Sequence, residues 1–126
     1  MLSESEIYSV LSDNFRIARE QCEAIGRGPN GPAYVRLGRA IDKIEGCCRQ
    51  MGHWRGDARW FRLGMIYKEG REAAKTLYLG QRWGEFSRFA QVWEAGLARV
   101  TRLAESATGR PGTLILPAAY EQATRH

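Results

Sequence analysis

The sequence predicts an all-α fold, an antiparallel bundle of about four helices with a short apolar C-terminal tail. Apolar residues recur at steps of three and four along four long segments, and short runs rich in glycine and proline separate those segments. The alternating apolar and polar stretches typical of strands are nearly absent. The 126 residues suit a single domain, 1–126, because chains of this length build one hydrophobic core. The predicted helices cover about 4–25, 32–51, 57–79 and 85–107, and the tail covers 108–126.

The first predicted helix has a recognisable start and end. Ser3, followed three residues later by Glu6, has the form of a capping box. Gly26 stands where a left-handed residue commonly ends a helix, and 27–31 are turn-forming residues. Between these ends the apolar stripe consists of Ile7, Leu11, Phe15, Ala18, Cys22 and Ile25. An amphipathic helix is therefore expected here.

The second predicted helix begins at Pro32, which suits a first helical turn because proline needs no hydrogen bond to its nitrogen there. Its apolar stripe consists of Leu37, Ile41, Ile44, Cys48 and Met51. Glycines at both ends of the segment 52–56, which contains Trp54, indicate a short connection. We therefore expect this helix to end near Met51.

The third predicted helix follows Asp57, whose carboxylate is a suitable N-cap. Its expected inward stripe consists of Leu63, Ile66, Gly70, Ala73, Ala74 and Leu77. Gly64 and Gly70 would let another backbone approach, although each costs about 1 kcal/mol relative to alanine in a helix interior. The segment 80–84 is predicted to be a turn.

The fourth predicted helix has the clearest amphipathic pattern, formed by Phe86, Phe89, Ala90, Trp93, Leu97, Val100 and Leu103 or Ala104. We expect it to be the central packing element and Trp93 to anchor the core. The Gly-Arg-Pro-Gly run at 109–112 should end this helix. The apolar run 113–116 then predicts an extended tail lying on the bundle.

Composition predicts a cytoplasmic protein. No apolar run approaches the roughly 18 residues that a membrane span needs, and the acidic N-terminus is unlike a signal peptide. The three cysteines are an odd number and include the adjacent pair Cys47 and Cys48, which does not suit a disulfide framework. Reduced thiols and no membrane partner are expected.

No catalytic residue, cofactor or metal ligand is predicted. Residues 26–31 match the letters GxGxxG, but dinucleotide binding requires a strand before the glycines and here a helix precedes them. Cys47, Cys48 and His53 lack zinc-site spacing, because adjacent cysteines on a helix point about 100° apart. An enzyme whose site forms only on folding stays open as a third alternative.

The chain carries a formal net charge of +5, and its positive excess is concentrated between Arg27 and Arg62. Eight basic residues there stand against three acidic ones. Two trios at helical spacing account for most of them, with Trp54 and Trp60 nearby. The predicted partner-binding surface consists of Arg36, Arg39, Lys43, Trp54, Arg55, Arg59, Trp60 and Arg62.

Arginine and tryptophan are enriched where proteins bind partners, so this surface predicts a small non-enzymatic binding protein. The preferred partner is an acidic protein surface, with the protein acting as an adaptor or inhibitor of a larger machine. Small single-domain chains without catalytic motifs are typical of phage or mobile-element accessory proteins. The alternative is a DNA- or RNA-binding protein that uses the same arginines on phosphates. A solvated face with no partner and a homo-oligomer also stay open.

Overall fold

Four long helices make up the structure, a computed structural model that describes residues 3–108, with side chains to residue 105. They are α1 (Glu4–Gly26), α2 (Gly31–Arg55), α3 (Ala58–Leu79) and α4 (Trp83–Thr108). Residues 3–108 contain no strand. The all-α prediction is confirmed, whereas 109–126 of the predicted apolar tail lie outside the described residues.

Helix α1 packs against α2 and α4, and α3 packs against α2 with its Tyr67 ring reaching Phe15 of α1 in the core. The Tyr8 hydroxyl at the start of α1 lies 2.8 Å from Thr101 Oγ1 near the end of α4. At the opposite end of α1, Gly26 contacts Ser87 near the start of α4. These two contacts make α1 and α4 antiparallel, and the short connections make each consecutive pair antiparallel as well.

Side-chain caps fix three of the helix starts. Ser3 Oγ accepts the Glu6 N–H at 3.2 Å, and the Glu6 carboxylate accepts the Ser3 N–H at 3.1 Å, which confirms the predicted capping box. Asn30 caps α2, since its Oδ1 accepts the Ala33 N–H at 3.0 Å. The predicted Asp57 cap of α3 is also confirmed, since its carboxylate accepts the Arg59 N–H at 2.9 Å.

The prediction that Gly26 forms a left-handed cap is wrong. Gly26 is the last helical residue of α1, Arg27 is the C-cap in a right-handed conformation, and Gly28 has the positive φ of 142°. Gly26 instead serves packing, because a Cβ at this position would collide with the Ser87 hydroxyl. Because Gly26 has no side chain, α1 and α4 can approach each other closely at this position.

The prediction that α2 ends near Met51 is also wrong. The helix continues to Arg55, and Gly56, with a φ of 61°, forms the left-handed cap. Gly52 is a point of close approach to α3, since a Cβ there would lie 2.7 to 2.9 Å from the Phe61 ring. The segment expected to be a connection therefore extends α2 by one more turn.

The predicted inward stripe of α3 is only partly buried. Ile66 and Ala73 are exposed, whereas the buried residues are Trp60, Gly64, Tyr67 and Ala74. Gly64 is the reason, because its missing side chain lets α3 approach α2 so closely that a Cβ would lie 3.0 Å from Cys48 Cβ. Packing on this flank turns part of the predicted stripe away from the core.

The predicted stripe of α4 is confirmed, with Phe86, Ala90, Trp93, Val100 and Ala104 buried. Trp93 is fully buried and lies among aromatic rings of α1 and α3. Its ring centroid is 6.4 Å from that of Phe15 and 5.8 Å from that of Tyr67. Trp93 therefore lies in the core as predicted, but the prediction that α4 is the central packing element is wrong, because α1 packs extensively against two helices and α4 against α1 alone.

Aromatic side chains also hold α3 and α4 apart. The Tyr67 ring stands against Trp93, and the Tyr78 ring stands edge-on to Trp83 at a centroid distance of 5.0 Å. The backbones of α3 and α4 approach each other at few points, unlike those of the other neighbouring pairs. The bundle is therefore least tightly closed between these two helices.

Candidate binding surface

Three cations lie along one flank of α2 without a carboxylate partner. Arg36, Arg39 and Lys43 are exposed and form no ion pair with any described residue. The acidic residues closest to them in sequence are engaged elsewhere, since Asp42 pairs with Arg71. The three cations of the trio therefore have no ion-pair partner among the described residues.

This flank of α2 faces α1. Arg36 Nε donates to Gln21 Oε1 on α1 at 3.1 Å. An open groove of about 490 Å³ runs between the two helices, lined by Val10 of α1 and by Arg39, Asp42, Lys43, Gly46, Cys47 and Gln50 of α2. Small and apolar groups thus form the groove floor and cations form part of its rim.

Trp54 lies on the same flank as the trio. It comes eleven residues after Lys43, which is about three helical turns, so both side chains leave α2 in nearly the same direction about 16 Å apart. The Trp54 side chain is 53% exposed. The predicted residues Arg36, Arg39, Lys43 and Trp54 are therefore brought together on one helix flank.

Two predicted site residues offer little surface to a partner, since Trp60 is buried and little of the Arg55 side chain is exposed. Trp60 is 0% exposed and belongs to the core, because α3 packs against α2 through this flank. Arg55 forms an ion pair with Glu4 of α1, with only 9% and 8% of the two side chains exposed. The ion pair joins the end of α2 to the first turn of α1 and leaves little of Arg55 for contact with a partner.

Arg59 and Arg62 lie on α3 rather than on α2. The Arg59 guanidinium forms a two-point ion pair with Asp57, with its Nη2 2.8 Å from Asp57 Oδ2. Hydrogen bonds from Arg59 lower the pKa of Asp57 and in turn raise that of Arg59, so this cation is already compensated. Arg62 is exposed.

Burial raises the pKa of the three cysteine thiols in the bundle. Removal from water raises the pKa of the Cys22 and Cys48 thiols to about 12. Burial also raises the pKa of Cys47, although the nearby Lys43 opposes this shift. Among residues 3–108, no three histidine, cysteine or acidic side chains come together as a metal site.

Sequence reasoning missed the contribution of α1 to the groove. Val10 is half-buried in the groove and Ile17 is partly exposed. With Asn14 and Gln21 they recur at steps of four, three and four, a signal that marks a second face of α1 beside its core stripe.

No helix in the described part of the chain is long and apolar enough to cross a membrane. Comparison with protein-family models, curated proteins and solved structures finds no match for this chain.

Proposed function

We propose that this is a non-enzymatic binding protein that holds an acidic segment of a partner protein along the α1-facing flank of α2. The observation that carries the proposal is the exposed trio Arg36, Arg39 and Lys43, uncompensated by described carboxylates and placed beside an open groove. In the proposed role it acts in the cytoplasm as an adaptor or inhibitor of a larger machine, of the kind that phages or mobile elements carry.

The positive charge of the α2 trio indicates which kind of partner would bind. The trio spans seven residues of α2, about 10 Å, so its field attracts a short run of carboxylates rather than an extended polyanion. An acidic helix carrying carboxylates at steps of three and four presents them at matching intervals. Electrostatic attraction of this kind mainly increases the association rate, and it disfavours the binding of basic competitors.

The groove floor and Trp54 supply the apolar part of recognition. Val10 and Cys47 in the groove offer contact for the uncharged side of an amphipathic segment. Trp54, about 16 Å beyond Lys43, is an exposed aromatic anchor of the type that dominates interface energies. A segment of about eleven helical residues would reach from Lys43 to Trp54.

Nucleic acid is the alternative partner for the same cations. Arg55 and Arg59 are already paired with carboxylates, which leaves only the α2 trio and Arg62 of the predicted basic residues for phosphates. Phosphate contacts from the α2 trio alone would give a salt dependence with a logarithmic slope of about 3. The apolar groove floor favours the protein partner, since phosphates make no use of it.

The test compares two charge-reversal triples in the full chain. The first is Arg36→Glu, Arg39→Glu and Lys43→Glu. The matched control reverses two exposed arginines and one exposed lysine elsewhere, Arg88→Glu, Arg102→Glu and Lys68→Glu. Both change the net charge equally, and exposed charges contribute less than about 1 kcal/mol per pair, so both variants should fold.

Wild-type protein is used to purify its partner from extract of the native host with and without nuclease treatment, and the affinity of the identified partner is then measured. The first triple should weaken binding at least about tenfold, and the control should leave affinity nearly unchanged. Equal effects of the two triples would refute the proposed surface. A partner that nuclease removes, with a salt slope near 3, would establish the nucleic-acid alternative instead.

A further inference from the structure

A cleft between α2 and α3 is lined by two arginines from different helices. Arg39 of α2 and Arg71 of α3 both line this cleft, which has a volume of about 220 Å³. We call it the α2/α3 cleft, and its other lining residues are Tyr34, Val35, Gly38, Ile41 and Ala74. It is more enclosed than the groove between α1 and α2. Two guanidinium groups at a cleft of this size favour an anionic ligand.

The missing side chain of Gly38 makes room for the guanidinium of Arg71. A Cβ on Gly38 would lie 3.6 Å from both Nε and Nη2 of Arg71 and 3.8 Å from its Cζ, so this edge of the guanidinium faces the glycine. Arg71 donates to Asp42 through Nη1 at 2.5 Å, and Asp42 is the only described residue with which it forms a hydrogen bond or ion pair. The Nε and Nη2 donors therefore remain for a ligand, and together they can bind a carboxylate at two points.

The charges at the cleft match a single carboxylate. Arg39 is exposed and forms no ion pair with any described residue, whereas Asp42 offsets the charge of Arg71. Two arginines and one aspartate leave a net charge of +1. One carboxylate neutralises this charge, whereas a phosphate dianion would leave excess negative charge beside Asp42.

The other walls of the cleft are largely apolar. Val35 is 50% exposed, whereas Ile41 and Ala74 are buried beneath the surface of the cleft. The Tyr34 ring is held in place by stacking on Tyr78, with the ring centroids 4.3 Å apart. An apolar group placed against these side chains is removed from water, which stabilises a ligand that carries such a group. The volume lies below the roughly 300–1,000 Å³ of pockets that bind drug-sized ligands, so a smaller molecule fits.

We propose that the α2/α3 cleft binds a small organic monocarboxylate whose apolar body is about the size of a phenyl ring or a short alkyl chain. Arg71 binds the carboxylate through Nε and Nη2, and Arg39 supplies the second positive charge. The apolar body packs against Val35 and the Tyr34 ring. The proposal does not rest on the function proposed for the α2 flank, since the two sites share only Arg39.

The test is a titration of the full chain with benzoate and with hexanoate at constant ionic strength. Heteronuclear NMR follows the backbone amides and the arginine Nε–H groups, and saturable shifts are expected at the Ala74 amide and at Arg71 Nε–H. Benzamide, which has the ring of benzoate without its charge, should bind at least about tenfold more weakly because it makes no charge-assisted hydrogen bond. Acetate should also bind at least about tenfold more weakly, because it lacks the apolar body.

A leucine at Gly38 should abolish binding. A side chain at this position enters the cleft, and its Cβ, 3.6 Å from the Arg71 guanidinium, makes only an ordinary van der Waals contact, so Gly38→Leu should fold. The matched control is Gly46→Leu, eight residues later in α2, where the nearest atom to an added Cβ is Arg49 Nη2 at 4.0 Å. This control should bind benzoate as the wild type does.

A second pair of variants tests the charges without adding bulk. Arg39→Gln combined with Arg71→Gln should weaken benzoate binding at least about tenfold, because both cations of the cleft are lost. The control combines Arg36→Gln with Arg62→Gln, which removes one exposed arginine from each of the same two helices outside the cleft. It should leave the affinity nearly unchanged.

Three results would overturn the proposal. If neither benzoate nor hexanoate causes saturable shifts, the cleft binds no ligand of this class. If acetate or inorganic phosphate binds as tightly as benzoate, the arginines attract anions without selecting an apolar body. If Gly46→Leu removes binding and Gly38→Leu does not, the ligand lies in the groove between α1 and α2 instead.

Discussion

Replacing Gly96 with alanine should destabilise the protein although alanine favours a helix. Gly96 lies inside α4, and a Cβ at this position would lie 2.5 Å from Phe15 Cε1 and 2.9 Å from Tyr67 Cζ. The two rings are buried and pack edge-to-face with centroids 5.1 Å apart. Because both rings are packed in the core, the added methyl should displace a ring or a helix.

The expected size follows from two opposing effects. Alanine gains about 1 kcal/mol over glycine in a helix interior. Overpacking a well-packed core costs about 1 to 3 kcal/mol, and a contact with two rings belongs at the upper end. The free energy of unfolding should therefore fall by about 1 to 2 kcal/mol in Gly96→Ala, with a melting temperature lower by about 5 to 10 °C.

Gly46→Ala is the matched control, since Gly46 also lies inside a helix. The nearest atom to its added Cβ is Arg49 Nη2 at 4.0 Å, so only the helix preference changes. This variant should gain up to about 1 kcal/mol. Urea unfolding followed by far-ultraviolet circular dichroism gives both values. If both variants were stabilised equally, this would contradict the close packing of α1 and α3 against α4 at Gly96.

Two further predictions concern the core. Trp93→Ala should lower the free energy of unfolding by about 3 to 5 kcal/mol, because it empties a fully buried site, and a urea midpoint near that of the wild type would show that Trp93 is not the anchor. With a pKa of about 12, the thiols of Cys22 and Cys48 should resist iodoacetamide at mildly alkaline pH until the protein unfolds, and rapid alkylation of either one in the native protein, detected by mass spectrometry, would contradict their burial.

The helix starts were predictable because their signals are local. Ser3 with Glu6, and Asp57 before α3, place a hydrogen-bond acceptor within three residues of the amide that it caps. The end of α2 was not predictable in this way. A glycine near the end of a helix can mark either the end of that helix or a place where another helix comes close. At Gly52 it marks the close approach of Phe61, which depends on how α3 packs.

The orientation of α3 and the composition of the binding surface were also not predictable from local signals, because both depend on how the helices pack against one another. Periodicity shows which residues share a face but not which face a neighbouring helix covers, so Ile66 was expected inside and lies outside. Trp54 and Trp60 are both aromatic residues beside arginines in the sequence, and only the packing of α3 on α2 separates the exposed one from the buried one. The α2 trio was found because its spacing lies within one helix.

The distribution of tryptophan gives this protein two optical reporters. Trp60 and Trp93 are sealed in the core, Trp83 is half-buried, and Trp54 stands exposed on the proposed binding flank. Iodide, an anion drawn toward the neighbouring cations, should quench the red-shifted emission of Trp54 while leaving the blue-shifted core emission bright. A partner bound on the α2 flank would then protect Trp54 from quenching, whereas unfolding would change the emission of the core tryptophans. Binding and unfolding can therefore be measured separately in a single spectrum.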